Sequence, residues 1–250
     1  MSRTRMHRAA RAFVLVGLIV GVVTAGLATQ ASAITTPNPH VVGGFGQSVN
    51  PNSKIDAPVT EFVESGHTLV VSVATGTFNG SVECHDKTGV NPYAVVADRN
   101  TGNGRLFVCV GRVLAPLGVG DLVTATYPGF SGVSAISVVE FDIPLGADSD
   151  DAKTGFGSNP PVNSGSLCLF GQYLLFGVAA NTNVSTFVAD TPPWLDLLPT
   201  QSGGGGASKR TLTPEWQNFQ PGGCSNKALT GHLTGSGFWQ AAIVALRQFT

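Results

Sequence analysis

Between residues 67 and 141 short apolar, β-branched runs alternate with turn residues, with a turn signal roughly every 8–12 residues, the spacing of a sandwich or barrel. The pattern predicts strands over 67–75 (HTLVVSVAT), 80–86 (GSVECHD), 93–98 (YAVVAD), 105–113 (RLFVCVGRV), 120–127 (GDLVTATY) and 133–141 (VSAISVVEF). No stretch holds a sustained 3.6-residue period, so no helix is expected. A polar connector, 147–165 (ADSDDAKTGFGSNPPVNSG), separates these strands from a second half that opens on a long apolar run, 166–182. That run has few polar alternates, as a strand with both faces covered would have. Residues 191–225 are rich in Pro and Gly and place Trp194 and Trp216 in loops; Trp239 begins a final strand and belongs to the core.

The two halves echo each other. SGVSAISVVEF (131–141) returns 105 residues later as SGFWQAAIVAL (236–246), and Gly66 and Gly171, which precede apolar strands, stand at that same offset. The expected fold is therefore all-β: one two-sheet antiparallel sandwich, jelly-roll-like, built from similar halves (66–146 and 166–250), each contributing to both sheets. Two tandem immunoglobulin-like domains divided near residue 155 are the alternative. Residues 34–65, bearing Pro and Asn, predict an extended lead-in with one edge strand.

The N-terminus sets the compartment. Arg3, Arg5, Arg8 and Arg11 precede an uncharged apolar stretch from Ala12, closed by Ala31-Ser32-Ala33. This is the form of a secretory signal peptide, 1–33, cleaved after Ala33; a retained membrane anchor is the rival, since the stretch approaches the ~18 apolar residues that a span needs. After cleavage no segment is long and apolar enough to span a membrane. Four of the 14 Lys and Arg fall in the signal and none of the 15 Asp and Glu, so the remainder has 10 − 15 = −5 net charge. A nucleic-acid partner, which requires basic footing, is not expected. Charged residues are only 12% of the chain, against about 25% in ordinary soluble domains, so the surface is built from Thr, Ser, Asn and Gly. Four cysteines fit an oxidising compartment. Of the three pairings, Cys84–Cys109 and Cys168–Cys224, one bridge in each half, are favoured, each contributing on the order of 3 kcal/mol.

The segments GHTLVVSVATGTF (66–78), NTGNGRLFVCVGRV (100–113), GDLVTATYPGFSG (120–132) and the closing ISVVEF (136–141) resemble β-sandwich modules, immunoglobulin-like or jelly-roll-like, of exported bacterial cell-surface proteins. The resemblance covers about 66–142 well and 166–250 loosely. It implies an extracellular sandwich and carries no catalytic residue with it.

Candidate chemistry is sparse. In ECHDK (83–87), strand alternation puts Glu83 and His85 on one face and Cys84 and Asp86 on the other, so Glu83 and His85 point to solvent if Cys84 is bridged inside. Asp148, Asp150 and Asp151 form an acidic connector loop that could hold structural calcium, the one cofactor considered, although Lys153 and Asn159 stand where an EF-hand needs its Gly and Glu. No G-x-S-x-G or H-E-x-x-H occurs. After the signal the histidines are His40, His67, His85 and His232. Paired carboxylates for glycoside cleavage could come from Glu61, Glu64, Glu83, Asp98, Glu140 and Glu215, and nothing in the sequence selects a pair. Aromatic faces stack on sugar rings and amides bind hydroxyls, so Trp194, Trp216, Gln217 and Asn218 are the candidate ligand-binding residues.

The expected function is that of a secreted, non-catalytic sandwich that binds a glycan, the cell wall or a protein partner at the cell surface. The alternatives are a secreted polysaccharide hydrolase using two carboxylates, and a structural or coat-forming extracellular protein.

Overall fold

A computed structural model describes residues 37–47, 51–159, 161–183, 185–190, 194–202, 209–219 and 224–248; the segment expected to be a secretory signal, 1–33, lies outside them. The first half contains β1 (His40–Gln47), β2 (Pro51–Pro58), β3 (Thr68–Thr75), β4 (Glu83–Asp86), β5 (Tyr93–Thr101), β6 (Gly104–Arg112), β7 (Leu122–Ser131) and β8 (Ser134–Phe141). The short β9 (Leu145–Gly146), a 3-10 turn (Ser149–Asp151) and β10 (Ala152–Gly157) follow. The second half has β11 (Val162–Asn163), β12 (Leu167–Leu169), β13 (Tyr173–Asn181), β14 (Phe187–Ala189), β15 (Leu195–Asp196), β16 (Thr200–Gln201), β17 (Thr211–Phe219), β18 (Ser225–Lys227), β19 (Thr230–Leu233) and β20 (Trp239–Gln248). All named pairings are antiparallel, and no α-helix occurs among the described residues. The all-β antiparallel sandwich expected from the sequence is what the chain forms.

The way the halves share sheets differs from the expected arrangement. Each half builds a large sheet and small ones of its own. In the first half β1-β8-β3-β6-β5 packs against β2-β7-β4; in the second, β10-β20-β13-β17-β15 packs against β11-β19-β14 and β12-β18. The two large sheets then bury each other. Alternation along β3 shows how. Leu69, Val71 and Val73 enter the core beneath the first small sheet, with Ile55, Phe107, Val123 and Val138. Val70 and Ala74 enter a central core that also holds Val108 and Val139 and, from the second half, Phe176, Val178 and Val244. Leu175, Ala179 and Ile243 point the other way, toward Leu167, Phe187 and Leu229. Strands buried on both faces need continuous apolar sequence, which is why β3 and β8 are buried at every position and β13 at all but its first.

The strand orders of the two large sheets match: β1, β8, β3, β6 and β5 correspond to β10, β20, β13, β17 and β15. They also pack reciprocally. β8 lies on β17, the counterpart of β6, while β6 lies on β20, the counterpart of β8; β5 meets β10, and β1 meets β16 beside β15. An isologous dimer interface has this pattern, here inside one chain. Gly66 and Gly171 both take positive φ, 94° and 102°, in matching turns. The repeat is offset by 105 residues in the last strand but slips in the others. Val138 pairs with Val71, whereas Ile243, 105 residues on, pairs with Gly177, 106 residues on from Val71.

Two stretches carry more structure than expected. The lead-in supplies β1 and β2, which pair with β8 and β7, and the connector supplies β10, which pairs with β20. A further strand was hidden: β17 lies where a Pro- and Gly-rich loop is expected, because Pro214 interrupts the run and demotes it as a strand. Its neighbour β13 nevertheless pairs with it along its whole length.

Candidate functional site

The candidate binding residues separate once the strands form. Trp194, immediately before β15, is half-buried over Gly177: a Cβ on that glycine would lie 3.0 Å from the indole. Its side chain belongs to the outer core of the second half. Trp216 is not in a loop but on β17, packed against the central core. Alternation then sends Gln217 to the other face, where it is buried, and leaves Asn218 exposed. The two indoles sit on opposite faces of one sheet and make no common platform.

Asp148, Asp150 and Asp151 surround the 3-10 turn. Asp151 is buried, accepts a 3.2 Å hydrogen bond from the Asp148 N–H and pairs with Arg247. That carboxylate is already engaged, and among the described residues no group of three His, Cys, Asp or Glu side chains could hold a metal. Cys84–Cys109 and Cys168–Cys224 form as expected. The first joins the small sheet to the large one from inside; Glu83 and His85 face outward beside it.

The candidate carboxylates sort by partner. Asp98 receives Arg105 Nε at 2.7 Å. Glu140, 2% exposed, is held by His67 Nδ1 at 2.6 Å and His40 Nε2 at 3.3 Å, with Glu64 and Glu61 on the outer side of those rings. Glu215 differs: it is 0% exposed, no N–H or hydroxyl donor reaches either oxygen, and the Asp196 carboxyl hydrogen-bonds it. Burial, and then the Asp196 carboxylate, push its pKa from 4.5 up to about 8. Asp196, absent from the sequence-based candidates, is exposed on the edge strand directly opposite Glu215. Only pairing across the sheet brings the two together; LDLL carries no mark of it.

A wide concavity lies at the seam between the two large sheets. A cleft of about 570 Å³ opens between the ends of β5 and β6 and the end of β20, with Arg112, Arg247, Asp148 and Gln248 around Val110 and Leu145. Its size falls within the range of small-ligand sites. The Arg247 guanidinium extends over the Tyr173 ring, 5.8 Å from its centroid. At the opposite end of the seam the halves are tied together. Gln240 Nε2 donates to the carbonyls of Arg99 and Gly104 at 2.9 and 3.0 Å, and the Arg210 guanidinium donates to those of Thr75 and Asn103 at 3.3 and 3.1 Å. Phe156, under the Arg99 guanidinium at 4.4 Å, and Phe238 remain half-exposed there beside a shallow recess. The cleft brings guanidinium, carboxylate and amide groups to the rim of an apolar floor.

No family model matches the chain, and neither a curated protein nor a solved structure shows significant similarity to it.

Proposed function

We propose that this is a secreted, non-catalytic β-sandwich protein that binds a cell-surface glycan in the seam cleft. The observation that carries the reading is the cleft itself: guanidinium, carboxylate and amide groups around an apolar floor. Such a mixture suits a sugar, whose hydroxyls need hydrogen-bonding partners and whose C–H faces need apolar contact. Two disulfides are consistent with an oxidising, extracellular setting, and the basic head, apolar stretch and A-x-A exit support export. The bacterial cell-surface resemblance rests on the sequence segments alone.

The test is a pull-down on cell-wall material and insoluble polysaccharides, with the supernatants assayed for new reducing ends. Binding without release is expected, weakened at least tenfold by Arg112→Ala or Gln248→Ala and unchanged by Trp216→Phe. Binding indifferent to both cleft variants would overturn the assignment of the site.

One observation favours hydrolysis as a second reading. Glu215 and Asp196 are adjacent carboxyls, one raised and buried, one exposed, and divergent acids of this kind divide general-acid and charged roles in glycosidases. Release of reducing ends that Glu215→Gln abolishes would establish it in place of the first.

A further inference from the structure

Because the two large sheets repeat one strand order, the residues that wall the seam cleft have counterparts in the second half. In the first half Ala94 of β5 pairs with Val110 of β6, and Val110 with Val70 of β3. In the second half Leu195 of β15 pairs with Trp216 of β17, and Trp216 with Phe176 of β13. Phe176 and Trp216 each stand 106 residues on from Val70 and Val110, and Val70 and Phe176 both enter the central core. Val110 therefore occupies the place of Trp216, and Ala94 that of Leu195. The Trp216 side chain packs against the central core. Val110 and Ala94 line the cleft instead: two small side chains stand where the second half carries two large ones, and the seam is hollow above them.

The hollow is closed at its flanks. One wall is built by β5 and β6, the other by β9, which pairs with β20 through Gly146 and Arg247, and by the 3-10 turn that follows β9. The walls meet on each side, β6 against β9 and β5 against the turn. Val110 and Leu145, both buried, form the floor. A groove that holds the middle of a polymer must be open at two ends; this cleft is a blind pit.

We propose that the seam cleft receives the terminal ring of a glycan, and that Ala94 and Val110 set its depth. The inference rests on the glycan reading of the cleft and adds which part of the glycan is bound. A ring at the end of a chain carries one glycosidic bond and can be turned down between the sheets. An internal ring carries at least two, and the chain on either side of it would run into the joined flanks. The C–H face of the terminal ring lies on aliphatic side chains, in the place that the Trp216 indole takes in the second half, while its hydroxyls stay at the mouth toward Arg112 and Gln248. An apolar floor with a few polar groups that fix orientation is the usual make-up of a small-ligand site.

The experiment measures retention of the purified chain on peptidoglycan, chitin and cellulose, with soluble fragments of each polymer, made by partial acid hydrolysis, as competitors. Competition should follow the number of chain ends, so that at equal mass fragments about tenfold shorter compete about tenfold better. Val110→Trp fills the pit with the side chain that the second half already carries at that place, and should weaken binding at least tenfold. Ala94 is exposed on the edge strand β5, so Ala94→Leu, with an unchanged Tm, tests the pit even if Val110→Trp folds poorly; it should weaken binding at least threefold. Competition that depends on total ring concentration whatever the fragment length would overturn the inference. So would full binding by Ala94→Leu where Arg112→Ala binds weakly, a result that leaves the cleft as the glycan site. Binding indifferent to Arg112→Ala and Gln248→Ala as well, or no retention on any of the polymers, would overturn the glycan reading and this inference with it.

Discussion

Replacing Glu215 with Gln keeps the shape of the side chain and removes its charge, so the pH dependence of stability isolates what this one carboxyl does. Its pKa rises from 4.5 to about 8 on folding, chiefly through burial and next through Asp196. Between those values the folded chain holds a proton that the unfolded chain has released. Stability therefore falls as pH rises from about 4.5, and the loss is complete only above about 8. At 1.36 kcal/mol per pH unit the full effect is on the order of 5 kcal/mol, a large share of the 5–15 kcal/mol typical of a domain. The assay is urea unfolding followed by tryptophan fluorescence, with EDTA present, at intervals from pH 5 to 8.5. The unaltered chain should lose stability across this range relative to Glu215→Gln, and the variant should be the more stable of the two at pH 8.5. Parallel profiles, within about 1 kcal/mol of each other, would show that Glu215 ionises freely and would refute the account of its burial.

Cys168 and Cys224 are exposed while Cys84 and Cys109 are buried, so mild dithiothreitol under native conditions should open Cys168–Cys224 alone, as mass spectrometry after alkylation would reveal; equal labelling of all four cysteines would contradict this. Gln240→Ala strips a donor from the Arg99 and Gly104 carbonyls and should cost about 1–3 kcal/mol in urea unfolding, a loss below 0.5 kcal/mol being the opposing result. Because the central core draws on both large sheets, calorimetry should record a single unfolding transition; two resolved transitions would mean that the halves are independent.

Much of the first half is legible in its pattern. The six predicted strands there all exist, with ends displaced by a few residues, because β-branched alternation and Gly-bearing turns are local properties. The pairing Cys84–Cys109 is one of three open to four cysteines, favoured because it puts one bridge in each half, and it forms. β17 is less so. Pro214 and the nearby glycines present it as a loop, and only its place between β13 and the short edge strands β15 and β16 makes it a strand. Trp216 changes with it, from a loop aromatic available for stacking to a residue of the core.

The sequence by itself determined an all-β chain with two echoing halves and enough cysteines for two bridges, since strand period and cysteine number are local or additive features. Tertiary structure alone decided how the halves are related. The apolar run of β13 demands cover on both faces, but that cover could come from a partner sheet in its own half or from the other half, and here it comes from both. The same is true of the sites. Glu215 and Asp196 are 19 residues apart in the chain and directly opposed in the sheet, and the cleft joins Arg112 to Gln248. Cross-strand register and sheet packing, which depend on every strand at once, create these neighbours.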